Sequence, residues 1–98
     1  MAIEKDDSLV ALLEQLDIES RGCFIEDHWH ADRCAIGLAS VSRPGNLVYI
    51  STFSMPSGKF YCQCEVADPE SPTDFQVVVE REQLSFAELE EIIAKHLN

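Results

Sequence analysis

Apolar residues recur at helical spacing near the start of the chain. The spacing predicts a helix over residues 8–17, capped at its N-terminus by Asp7 or Ser8. Its apolar stripe consists of Leu9, Leu12, Leu13 and Leu16. One helix face is therefore available to pack against another layer.

A second helical stripe closes the chain. This helix is predicted to begin at Ser85, because Glu88 three residues later completes a capping box. Phe86, Leu89, Ile93 and Leu97 lie on one side, and Glu88, Glu91 and Lys95 face outward.

Between the two helices the apolar period changes to two, which is typical of strands. Five strands are predicted, at residues 21–30, 33–42, 47–54, 60–67 and 75–80. Short turns at 31–32, 44–45 and 57–58 should join the first four as a meander of hairpins, and residues 68–74 read as a longer polar loop.

Tight hairpins would also set the register, placing Cys23 opposite Ser40 and Phe53 opposite both Ile36 and Cys62. The bulky face then carries Cys23, Ile25, Trp29, Cys34, Ile36, Leu38, Tyr49, Phe53, Met55, Phe60, Cys62, Cys64 and Val66. The opposite face is mixed in character and is expected to be open to solvent. With both helices on the bulky face, the chain is predicted to be a single α+β domain over residues 1–98, a two-layer α-β5-α sandwich.

The charge distribution narrows the choice of partner. Eighteen acids and seven bases give 98 residues a net charge of −11, although 46% of the residues are hydrophobic. Residues 1–32 and 65–98 each hold nine acids and two bases, whereas residues 33–64 hold three bases and no acid. Such a field repels nucleic acids and anionic membranes and favours a basic protein partner. The acidity alternatively serves only solubility.

No secretion signal or long apolar run is evident in the chain, so a cytoplasmic location is expected. The protein should be a monomer or a homodimer.

Four cysteines and three histidines raise the possibility of a metal site, especially His28 and His30 with Cys62 and Cys64. In the predicted register the thiols point to the core and the two imidazoles to the mixed face, so they do not meet. Nor do cysteines lie opposite one another, so free thiols are expected. Glu26, His28 and His30 share one strand face, which leaves a divalent-ion site as an alternative.

Few sequence motifs indicate catalysis. The chain lacks a glycine-rich phosphate loop, a nucleophile elbow and a His-Glu-x-x-His sequence. No enzyme activity and no cofactor are predicted.

The mixed sheet face remains as the candidate partner surface. Its proposed contact residues are His28, His30, Thr52, Ser54, Tyr61, Gln63 and Glu65, around a floor of Ala35, Gly37 and Ala39. Small floor residues let another backbone approach closely. The chain is accordingly predicted to be a non-catalytic interaction module, such as an inhibitor, an immunity protein or a chaperone, that binds a basic or amphipathic partner.

Two resemblances bear on this expectation. The helix, sheet, helix order, the acidity and the closing helix at 84–93 loosely resemble type III secretion chaperones, although those carry a further helix amid their strands. The order also resembles the frataxin-like arrangement, which implies iron binding through acids on the first helix. Here that helix offers only Glu14 and Asp17 beyond its cap. A small metal-binding protein using acids and histidines is the alternative function.

Overall fold

The computed structural model describes residues 5–26 and 32–98, except for the side chains of 72 and 73. Over these residues the predicted α+β fold, with an N-terminal helix, a five-stranded antiparallel sheet and a C-terminal helix, is confirmed. The elements are α1 (Asp7–Leu16), a 3-10 turn (Ile18–Arg21), β1 (Cys23–Ile25), β2 (Ala35–Ser40), β3 (Asn46–Ser51), β4 (Phe60–Asp68), β5 (Ser71–Leu84) and α2 (Phe86–Leu97). Neither helix is long and apolar enough to cross a membrane, for the residues described.

Both helices begin at side-chain caps. The cap of α1 is Asp6, one residue before the predicted candidates, and its carboxylate accepts the amide of Ser8 at 3.1 Å. The predicted capping box of α2 is confirmed. Ser85 Oγ accepts the Glu88 amide at 3.2 Å, and Glu88 Oε1 accepts the Ser85 amide at 3.0 Å.

The strands follow one another across the sheet in the order β1-β2-β3-β4-β5, so the meander is confirmed. The register of the first hairpin is also confirmed, because Cys23 lies opposite Ser40. The next two registers are wrong by three residues, since Ile50 lies opposite both Ile36 and Cys62 where Phe53 was expected. The chain runs through longer loops, 41–45 and 52–59, than two-residue turns would need.

A register shift by an odd number of residues exchanges the side chains on the two faces of a strand. Val48 and Ile50 therefore lie in the core, Tyr49 points to the other face, and Phe53 is 71% exposed. The two three-residue register shifts add up to an even number of residues. Strand β4 therefore keeps its predicted orientation and buries Cys62 and Cys64.

The polar segment before β5 was predicted to be a long loop. In the structure it is part of a β-hairpin. Strand β4 runs to Asp68, and β5 begins at Ser71 after a two-residue turn. Asp68 Oδ1 accepts the Glu70 amide at 2.9 Å, and this local bond stabilises the turn. As a result β5 is 14 residues long, much longer than the predicted 75–80.

The core lies between the helices and one face of the sheet. It contains Leu9, Leu12, Leu13, Leu16, Cys23, Ile36, Leu38, Val48, Ile50, Phe60, Cys62, Cys64, Leu84, Leu89, Ile93 and Leu97. Both apolar stripes predicted for the helices contribute to it. Burying side chains of this size is the main favourable term in folding such a domain.

Candidate protein-binding surface

The structure separates the seven residues predicted to contact a partner. Tyr61, Gln63 and Glu65 alternate along β4 on the sheet face away from the helices. His28 and His30 lie outside the described residues. The floor residues Ala35 and Ala39 are confirmed on the same face as β4's contact residues, but they are buried. The expectation of a solvent-open face is therefore wrong at its centre, because small side chains lie low between larger neighbours.

Thr52 and Ser54 do not belong to this face, contrary to the prediction. They follow β3 in the 52–59 loop, where Thr52 Oγ1 accepts a hydrogen bond from Ser8 Oγ of α1 at 3.0 Å. Ser54 has a φ of 59°, in the left-handed region that turns the chain. Both residues line a cleft of about 640 Å³ between α1 and this loop. The three-residue register error is the reason for their misplacement.

Glu65 is also a poor contact residue. Only 8% of its surface is exposed, and its carbonyl oxygen accepts a hydrogen bond from His96 Nε2 at 2.8 Å. Asn46 donates to the His96 carbonyl at 2.9 Å, so β3 and β4 both hold the end of α2. Glu65 thus contributes to the packing of the last helix on the sheet.

Tyr61 and Gln63 converge on a residue that the sequence analysis missed. Glu80 of β5 lies opposite Gln63. Glu80 Oε2 accepts hydrogen bonds from Tyr61 OH and from Gln63 Nε2, the latter at 3.0 Å, and Gln63 Nε2 lies 2.7 Å from Tyr61 OH. The ring of Tyr49 packs edge-on against Tyr61 with centroids 6.1 Å apart. We call Tyr61, Gln63 and Glu80 the Glu80 cluster.

The hydrogen bonds decide the charge of this cluster. Donation from Tyr61 and Gln63 stabilises the Glu80 carboxylate and lowers its pKa. Burial and the bond to Glu80 raise the pKa of Tyr61, so the phenol keeps its proton at neutral pH. Both bonds end on Oε2, and no described residue donates to Oε1. The cluster is therefore a fixed negative charge with an acceptor available to a cationic group.

Strand β5 places an exposed apolar row beside the cluster. The exposed fractions of Val77, Val78 and Val79 are 50%, 53% and 40%. Val79 pairs with Cys64 and Val77 with Glu65, so a β-bulge at Val78 interrupts the alternation. Three successive valines consequently reach the surface, next to Glu80. The run Val-Val-Val-Glu in the sequence is the signal that could have indicated this patch.

Most of the cysteines belong to the core. All four are free, with Cys34 partly buried and the other three buried. The Cys62 thiol donates a hydrogen bond to Cys64 Sγ, and this bond together with burial raises the pKa of Cys62, whereas the same bond lowers the pKa of Cys64. Burial raises the pKa of Cys23. Across 5–26 and 32–98, no three His, Cys, Asp or Glu side chains converge as metal ligands would. The alternative built on His28 and His30 stays a prediction.

Comparison with known proteins provides no identification: no protein family, curated protein or solved structure matches this chain. The case for a function therefore depends on the geometry of this surface.

Proposed function

We propose that this chain is a non-catalytic protein-interaction module that binds a basic or amphipathic segment of a partner protein. The binding surface is the Glu80 cluster with the adjoining valines of β5. One observation carries the proposal: an ionised carboxylate, fixed by two hydrogen bonds, lies on the same edge strand as three exposed valines, with Val77 on the face of the Glu80 cluster and Val79 on the other face. The proposed location is the cytoplasm, because four free thiols suit a reducing compartment.

The two parts of this surface serve different purposes. The valines supply apolar area that a partner can remove from water, which provides affinity. Glu80 supplies a charge held in one position, so a lysine or arginine can bind it without first ordering the carboxylate. An amphipathic segment satisfies both parts at once.

The overall charge of the molecule acts in the same direction. With a net charge of −11, the chain attracts a basic segment at long range and accelerates the encounter. Such attraction does not by itself select one place on the surface. The fixed charge beside the valines supplies that selection.

The proposal is tested by titrating fluorescently labelled peptides and following their anisotropy. One probe alternates lysine and valine, and its control alternates glutamate and valine. We expect saturable binding of the lysine peptide only. If the lysine peptide fails to bind at low ionic strength, the proposal is contradicted.

A matched pair of variants locates the binding. Glu80→Lys and Glu91→Lys change the net charge equally, but Glu91 lies on the exposed side of α2. Glu80→Lys replaces attraction by repulsion at the proposed contact, so it should weaken binding about threefold to tenfold. The Glu91 variant should change it less than about twofold. Equal losses would mean that only net charge matters.

A further inference from the structure

We infer that the partner segment binds as an additional β-strand along the outer edge of β5, at residues 76–83. This inference depends on the proposed function, and it names how the segment is held and which segments qualify. It concerns the backbone of β5, whereas the proposed function concerns the side chains.

The edge position of β5 provides the first support. β5 is the last strand in the order β1-β2-β3-β4-β5 and pairs with β4 on one side. On the outer side, no backbone group of residues 76–83 bonds to any part of the chain that the structure describes. Alternate amides and carbonyls of an edge strand point away from its neighbour, so they can pair with an added strand.

The composition of this edge provides the second support. Proteins protect exposed edges with prolines, charged side chains, β-bulges or very short strands. Residues 76–83 contain no proline and no lysine, and they belong to a strand of 14 residues. Bulges at Val78 and near Gln83, whose φ is 54°, leave residues 79–81 in regular pairing between them. The edge is thus long and exposed, with three valines followed by three charged residues, and its outer backbone groups are accessible to another strand.

Charge selects the occupant of this edge. The exposed side chains of Glu80 and Glu82 outnumber the single base Arg81 within residues 76–83. A second copy of this chain would bring the same acidic edge and the same net charge of −11 against it. A basic segment removes that repulsion, so we assign the edge to a basic, extended peptide.

Strand pairing also specifies the pattern of the peptide. Residues opposite each other in neighbouring strands point to the same face, so a residue opposite Glu80 lies beside the Glu80 cluster. A lysine or arginine there can donate to Glu80 Oε1. The peptide residues on either side of this base point to the other sheet face, where Val79 and Arg81 lie. An apolar peptide residue suits Val79. The segment recognised is one in which basic and apolar residues alternate.

The test compares the alternating lysine–valine peptide with the same peptide methylated at every backbone nitrogen. Methylation keeps the charges and side chains but removes the backbone donors that strand addition needs. We expect at least about tenfold weaker binding of the methylated peptide, corresponding to the loss of one or two net hydrogen bonds. We also expect the unmodified peptide to slow hydrogen exchange of the amides of residues 76–83.

Each outcome is informative. Equal binding of the two peptides, without protection of 76–83, would overturn strand addition and leave the proposed function intact. Failure of both peptides to bind would overturn both. Sedimentation of the free protein as a dimer, with residues 76–83 already protected, would show that a second copy occupies the edge and would overturn the assignment to a basic peptide.

Discussion

Replacing Ile50 or Phe53 by alanine tests the register of β3 directly. Ile50 is 0% exposed and lies opposite both Ile36 and Cys62, whereas Phe53 follows the strand and is 71% exposed. Tight two-residue turns would instead have placed Phe53 in the core. In the register of the structure, Ile50→Ala should lower the stability strongly and Phe53→Ala should not. In the register set by tight turns, the opposite would hold.

The magnitude follows from burial. Truncating a fully buried isoleucine to alanine costs about 2 to 5 kcal/mol, because transfer free energy is lost and a cavity is left. A domain of this size is stable by about 5 to 15 kcal/mol, so Ile50→Ala should remove a large fraction of the free energy of unfolding. Phe53→Ala should change that free energy by less than about 0.5 kcal/mol, since little of its ring leaves water on folding.

Urea unfolding followed by circular dichroism measures both variants. With a slope of about 1.5 kcal/mol per molar urea, a loss of 3 kcal/mol lowers the midpoint by about 2 M. Phe53→Ala should unfold within about 0.3 M of the wild type. A larger loss for Phe53→Ala than for Ile50→Ala would refute the register and, with it, the side of the sheet on which Tyr49 lies.

Three further predictions concern the helix cap and the thiols. Ser85→Ala should cost about 1 kcal/mol and lower the melting temperature by about 5 °C, because the Glu88 amide loses its acceptor; an unchanged melting temperature would contradict the capping box. The amide of Ser85 lowers the pKa of Glu88 from 4.5, so the stability that this carboxylate contributes is present above about pH 4.5 and lost as the pH falls through the lowered value. The stability difference between wild type and Glu88→Gln should therefore shrink in acid, measured by urea unfolding across pH, and a difference independent of pH would contradict this. Iodoacetamide should modify Cys34 first in the native protein, as mass spectrometry would show, because the other three thiols are buried; equal rates at all four would contradict their burial.

Local signals predicted the elements of this fold well. The helical stripes and the capping box at Ser85 depend on residues three and four apart, which interact within a single helix. The first hairpin register, Cys23 opposite Ser40, was also predicted correctly. The burial of Cys62 and Cys64 followed from alternation along β4.

The loops were the limit of sequence reasoning. Pro44-Gly45 and Ser57-Gly58 indicate where the chain turns, but not how many flanking residues leave the ladder. Each three-residue error moved a strand by an odd number of positions, which exchanged Tyr49 with Val48 and Ile50 between the two faces. For the same reason Thr52 and Ser54 were assigned to the partner surface although they lie near α1.

The candidate site depended on a pairing that no short-range pattern specified. Glu80 reaches Tyr61 and Gln63 only because β4 continues to Asp68 and β5 returns from Ser71. Residues 68–74 contain two prolines, and each proline has an acidic or hydroxyl residue on both sides, four such neighbours in all. This composition is typical of a loop. The hydrogen bond from the Glu70 amide to Asp68 forms a tight turn within it, and such a bond is recognised only in the folded chain.

Mapping the lysine–valine peptide on the isotopically labelled protein by NMR tests the central claim most directly. We predict that the largest amide shift changes fall in residues 76–83 and at Tyr61 and Gln63, and that they saturate with one affinity. The largest changes at the cleft formed by α1 and residues 52–59, with residues 76–83 unaffected, would contradict the account.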